Sequence, residues 1–281
     1  MKNDSKALRL FLIITFAVSI VIEAVWIYFG EVASEMGISQ LLMFIPCIVA
    51  VITSKVYFKK QKVLGFNRCR FGYVVLSVLF PLVYWSLSYC AFWLFSKESF
   101  GGDFSLLINQ AANYKEGLSD NAAIIIALII MIPVCIISSL GEEVGWRGFM
   151  YPTMQKLWGW KKAIIFSGIV WALWHLPLVI TELYYNSTSL WFRIPMFFIE
   201  VFALTVIISW LRVKSNSVWP AIIFHASHNY LDQVVFQSFT SNANSAYWVG
   251  ETGIISVVIT TLIAVIILIK DRNVFVNSQP L

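Results

Sequence analysis

Stretches of about 18 or more mostly apolar residues recur eight times along this chain, at about 8–29, 38–57, 71–95, 122–142, 163–181, 191–211, 218–236 and 252–269. Each is long enough to cross a hydrocarbon core of roughly 30 Å as a helix. The charge content agrees, since 12% of residues are charged against about 25% in a soluble domain. An all-α polytopic membrane protein follows, a bundle of about eight transmembrane helices forming one integral domain over residues 1–281.

Lysine and arginine predict its orientation. Lys2, Lys6 and Arg9 precede span 1, and Lys55, Lys59, Lys60, Lys62, Arg68 and Arg70 follow span 2. Arg147, Lys156, Lys161 and Lys162 follow span 4, Arg212 and Lys214 follow span 6, and Lys270 and Arg272 end the chain. All five groups fall on one side, so both termini are expected in the cytoplasm, in a cell membrane or endomembrane. The alternate loops are poor in base: Glu31 and Glu35, then "SKESFGGDF" to "YKEGLSDN", "TELYYNSTS" and "QSFTSNANSAY". The net charge of +5 is thereby explained by topology, with the bilayer and not nucleic acid as partner. Span 1 is too long for a signal-peptide core and reads as a retained helix. Cys47, Cys69, Cys90 and Cys135 are scattered and suggest neither a disulfide framework nor a cysteine metal site.

Against this background the polar residues inside the spans stand out. Span 4 ends in "SLGEEVGWRGF", and each ionised group costs roughly 2.5 to 3.5 kcal/mol at a helix centre on insertion scales. Glu143 and Arg147 are i,i+4 neighbours that can pair, which leaves Glu142 as a free carboxylate. Gly141, Gly145 and Gly148 form a small-residue stripe that would let another backbone approach, a neighbouring helix or a peptide. Span 5 contains "WALWHLP" with Trp171 one turn before His175, and span 7 reads "WPAIIFHASHNYL", with His225 and Asn229 on one face and His228 one position aside.

Intramembrane ionisable residues face a bundle interior or a water-filled cavity. Glu142, His175, His225 and Asn229 are therefore expected to meet in one polar chamber open to the cytoplasm. A carboxylate beside an imidazole can activate water, while a second imidazole and an amide can donate to the oxyanion of a tetrahedral intermediate. By residue count His175 lies deep in span 5 and Glu142 near the end of span 4. Their meeting demands a tilt, a displaced start of span 5, a longer span 4, or a kink at Pro133. Glu200 in span 6 and Glu23 in span 1 are two further intramembrane carboxylates.

Glu-Glu-x-x-x-Arg at 142–147, aromatic-x-x-x-His at 171–175 and His-x-x-x-Asn at 225–229, in that order on successive spans, resemble the CAAX protease and bacteriocin-processing family of intramembrane endopeptidases. The likeness covers about residues 120–235; Trp171 stands where the family more often has phenylalanine. It implies an endopeptidase acting on a peptide or membrane-protein substrate in or near the cytoplasmic half of the membrane. Glu142 with His175 would activate water, His225 with Asn229 would hold the oxyanion, and Glu143, Arg147 and His228 would support the site. The substrates it implies are prenylated CAAX proteins, bacteriocin leaders or signalling peptides.

The family is described both as metal-dependent and as glutamate-dependent without metal. Glu142, His175 and His225 could form a zinc site, but there is no H-E-x-x-H, and the metal-free mechanism is favoured. Two rivals stay open: a non-catalytic binding or immunity protein keeping the same chamber, and a transporter, although no inverted repeat is seen.

Overall fold

The structure is a computed structural model that describes residues 2–59, 63–102, 104, 105, 107, 108, 117, 119–181, 183, 188–241 and 244–277. Lys60, Lys62 and Asp103, along with most of the "YKEGLSDN" and "TELYYNSTS" loops, lie outside them. The described residues form α1 (Lys2–Phe29), α2 (Glu31–Glu35), α3 (Ile38–Phe58), α4 (Phe71–Phe95) and α5 (Asp120–Glu143). A π-helical stretch, Val144–Met150, carries α5 on into α6 (Tyr151–Trp158). Then come α7 (Trp160–Ile180), α8 (Leu190–Ser215), α9 (Trp219–Asn229) with a second π-helical stretch at Tyr230–Phe236, α10 (Ile254–Lys270) and α11 (Asn273–Asn277). No strand forms among the described residues, as expected where the bilayer offers a backbone no hydrogen-bonding partner.

All eight expected spans are helical, and six helical runs are long and apolar enough to cross a membrane: α1, α3, α4, the run 120–158, α7 and α8. The seventh expected span is 11 residues of α9 followed by the 7-residue π stretch, and the eighth is the 17-residue α10. A physical reason separates α9 from the others. It packs against α4, α5 and α8 in the centre of the bundle, where polar side chains are shielded from lipid by protein. On the outside, Ile125, Ile129 and Ile132 of α5 share one exposed face, an apolar stripe at helical spacing that suits contact with lipid tails.

The run from Asp120 to Trp158 is 39 residues without a break, about 58 Å if straight. Span 4 therefore does not end at residue 142. Arg147, expected in the loop after it, is instead a buried helical residue, and Arg212, expected in the next basic loop, is likewise buried inside α8. The sequence misleads here because charge inside a helix reads like charge at its end. Arg212 meets its cost partly by donating from Nε to the Arg147 carbonyl at 3.0 Å.

Gly159 alone separates α6 from α7, and its φ of +78° permits the reversal. Glu142 then lies between four and five turns before the reversal and His175 between four and five turns after it. Of the ways to bring the two to one depth, the molecule uses the longer span 4.

The glycine stripe is occupied by α3 at Gly141 and Gly145 and by the Leu64 carbonyl at Gly148. A Cβ on Gly145 would come within 2.4 Å of the Pro46 side chain, and one on Gly141 within 2.6 Å of the Met43 carbonyl. The protein's own backbone, rather than a peptide, fills this face. Gly145→Ala is expected to cost about 1–3 kcal/mol through overpacking, read as a lower unfolding temperature in detergent.

Candidate active site

The consecutive glutamates take different partners. Glu142 is buried, and its Oε2 accepts the indole N–H of Trp146 at 3.2 Å and that of Trp171 at 3.0 Å. Both bonds end on Oε2, so Oε1 is the oxygen that remains to meet a ligand. Its tryptophans are held in turn: Trp146 packs edge-on against Phe11 and Trp174, and Trp174 donates to Ser19 of α1 at 2.8 Å. Glu142 is thus not free in the sense the spacing suggested. It is clamped by indoles.

Glu143 makes the expected pair with Arg147, Oε1 to guanidinium at 2.9 Å, and the same oxygen faces His225 Nδ1 at 2.9 Å. One carboxylate therefore serves a guanidinium and an imidazole, tying α5 to α9. The guanidinium also lies over the Trp171 ring, 4.1 Å from its centroid, a cation–π contact that strengthens when desolvated. Because the carboxylate accepts, His225 donates through Nδ1, and its Nε2 is turned to other partners. His175 does the same by another route. Its Nδ1 lies 3.1 Å from the Trp171 carbonyl, and a carbonyl can only accept, so that nitrogen carries the hydrogen.

Trp171 and His175 of α7, with His225, His228 and Asn229 of α9, line one chamber. Phe197, Glu200 and Val201 of α8 add a further wall, and Glu251 closes another side. About 20 Å³ of it admits the centre of a water molecule, room for one water. Three of the four expected residues are brought together there. Glu142 is not on its surface and touches it through the Trp171 indole, which is both chamber wall and clamp.

His228, placed one position aside by helical spacing, also faces the chamber. Its Nδ1 contacts the Tyr84 hydroxyl, its Nε2 lies 3.6 Å from Glu251, and its carbonyl accepts from Trp85 at 3.1 Å. Behind it, Tyr89 donates to Asp232 at 2.6 Å and Gln233 donates to Glu251 at 2.9 Å. Sequence reasoning missed Glu251, Tyr84, Asp232 and Trp146. Glu251 sits in a polar loop between Gly250 and Gly253, where an acidic residue carries no burial signal. Trp146 could have been found, being i,i+4 from Glu142.

Both π-helical stretches start immediately after site residues, at Val144 behind Glu142 and Glu143 and at Tyr230 behind His228 and Asn229. Extra residues in a turn re-aim the side chains around them, and such bulges recur at functional sites.

Residues 124–231 match the family described as type II CAAX prenyl endopeptidase Rce1-like. That segment is similar to this family. CAAX prenyl protease 2 of Methanococcus maripaludis is 31% identical over 139 residues, 48% of this chain and 47% of the relative. The matching stretch spans about half the length of that relative. The three motifs read from the sequence, at 142–147, 171–175 and 225–229, lie inside the matched residues.

A zinc ion does not suit this arrangement. Among the described residues no three His, Cys, Asp or Glu side chains gather as a metal-holding group. Glu142 Oε2 already accepts two N–H donors, and His225 Nδ1 is spent on Glu143.

Proposed function

We propose that this multi-pass membrane protein is an intramembrane endopeptidase of the CAAX-protease type, cleaving a peptide bond in or near the cytoplasmic half of the bilayer. The observation that carries this reading is the convergence of His175, His225 and Asn229 on one small chamber whose Trp171 wall holds Glu142. Supporting it, Glu142 and His175 lie at matching distances, between four and five turns, from a reversal flanked by Lys156, Lys161 and Lys162, which places them at one depth. We read residues 1–281 as one integral domain with both termini in the cytoplasm and the peptidase core at 120–235.

In this mechanism Glu142 Oε1 takes a proton from a water at the Trp171 wall while the water oxygen bonds to the substrate carbonyl carbon. His175, its Nδ1–H fixed on the Trp171 carbonyl, orients that water through Nε2. The carbonyl electron pair moves onto oxygen, where the Asn229 amide and His225, as an imidazolium whose Nδ1–H stays on Glu143 while Nε2–H faces the oxyanion, donate to it. Glu143, itself paired with Arg147, is the counter-ion that holds the His225 imidazolium in place. As the C–N bond breaks, the proton passes from Glu142 to the leaving amine. No metal takes part in these steps. Prenylated CAAX peptides, named by the relative, are the first substrates to offer, followed by leader and signalling peptides.

The reading is tested by peptide cleavage with detergent-purified protein. A chamber kept only for binding or immunity would give no cleavage and would keep its cellular effect in a Glu142→Ala variant. Within the enzyme, Trp171→Phe keeps the ring beneath Arg147 but removes one donor to Glu142. A hydrogen bond to a charged group is worth about 1.5–3 kcal/mol, so turnover is expected to fall roughly 10- to 100-fold, with KM little changed.

A further inference from the structure

Glu200 is a buried carboxylate in the middle of α8 that the mechanism above leaves unused. It borders the same chamber as His175, His225 and Asn229. One oxygen, Oε2, accepts the Thr260 hydroxyl of α10, while Oε1 is buried with no hydrogen-bond partner among the described residues. Leaving a buried acceptor unmade costs about 1–3 kcal/mol, and mid-span placement adds to that. Packing of α8 on α10 does not require this cost. Thr260 Oγ1 already lies 3.0 Å from the Ser256 carbonyl and 3.2 Å from that of Val257, so its hydroxyl has local acceptors without Glu200.

The walls of the chamber differ in what they offer. His225 and Asn229, both on α9, are the donors assigned to the substrate carbonyl. A trans peptide points its N–H away from its C=O, so a bond held by α9 through its oxygen turns its N–H toward another wall. Two carboxylates stand on the other walls, Glu200 and Glu251. Glu251 is already engaged by Gln233 and His228. Glu200 Oε1 is the acceptor left over.

Resting on the endopeptidase reading, we propose that Glu200 is a further catalytic residue that accepts a hydrogen bond from the N–H of the scissile amide, aligning the bond between α8 and α9 and holding the nitrogen as it leaves. Thr260 then acts as a positioning residue that turns Oε1 into the chamber.

The experiment compares two substrates that differ at one atom. The peptide best cleaved by wild type from a library of membrane-proximal sequences is resynthesised with an ester oxygen in place of the scissile N–H. Glu200→Met, which has similar length but no comparable acceptor, should lose about 2- to 12-fold on the amide, the worth of one hydrogen bond between neutral groups, and little on the ester. Glu200→Gln, which keeps an acceptor oxygen, should retain most amide cleavage. Equal losses on amide and ester, or no loss on either, would overturn the assignment. Should Glu200→Met fail to fold, Thr260→Val carries the same test: an amide-selective loss supports the assignment and a loss common to both substrates refutes it. A wild type that cleaves no library peptide overturns the endopeptidase reading itself, a failure distinct from a wild type and a Glu200→Met protein that cleave amide and ester alike.

Discussion

Glu142→Gln protein is expected to fold as wild type does and to cleave no peptide at a measurable rate. The substitution keeps the size of the side chain, and the amide oxygen can still accept from the indoles that Oε2 serves at 3.2 and 3.0 Å. What it removes is the basicity that draws the proton from water, a contribution of about 10²–10⁴ in rate for a positioned general base. Glu142→Ala is the less informative change. It strands two buried indole N–H groups at about 1–3 kcal/mol each, so lost activity would be confounded with lost structure. His175→Ala should also abolish turnover; it removes the bond to the Trp171 carbonyl and edge-on contacts with Trp174 and Phe197. Circular dichroism and detergent melting alongside the cleavage assay separate the two effects.

The second large effect is on stability. Arg147→Ala is expected to destabilise the folded protein by about 3–5 kcal/mol, the range for breaking a buried ion pair from one side. The guanidinium is the permanently charged partner of Glu143 at 2.9 Å, reaches Thr205 at 3.5 Å and stacks on Trp171. Without it a buried carboxylate would be left on a single imidazole, and one Glu143 oxygen already has no hydrogen-bond partner among the described residues. A Glu143→Gln, Arg147→Met double variant removes both charges and should regain part of that stability. It should not regain activity, since His225 would lose the carboxylate that holds it as a donating imidazolium. A normal melting temperature for Arg147→Ala would contradict the pairing.

How much of this was legible in the sequence depends on the range of the interaction. Glu143 with Arg147 followed from helical spacing alone, and so did the shared face of His225 and Asn229. The tie between Glu143 and His225 bridges two helices far apart in the chain; no local period encodes it, and the spacing instead suggested that Glu142 meets His175. The length of span 4 was hidden for a related reason. The polar stretch after Leu140 looks like an interface, whereas buried pairing and close packing of glycines on α3 let the helix continue through it. The π-helical stretches at 144–150 and 230–236 have no sequence signature. Glu200 was visible as an intramembrane carboxylate, but its place on the chamber wall depends on the register of α8 against α9. Counting Arg147 and Arg212 as loop bases weakens two of the five basic groups, yet Lys156, Lys161, Lys162 and Lys214 keep the same bias.

The central claim is that the chamber is a peptidase site worked by Glu142. It is tested most directly by incubating wild type and Glu142→Gln with membrane-proximal peptides, prenylated CAAX peptides among them, each with and without a strong chelator. Cleavage by wild type that survives chelation and vanishes in Glu142→Gln is the predicted result. Cleavage that persists in Glu142→Gln, or that chelation abolishes and zinc restores, would contradict it.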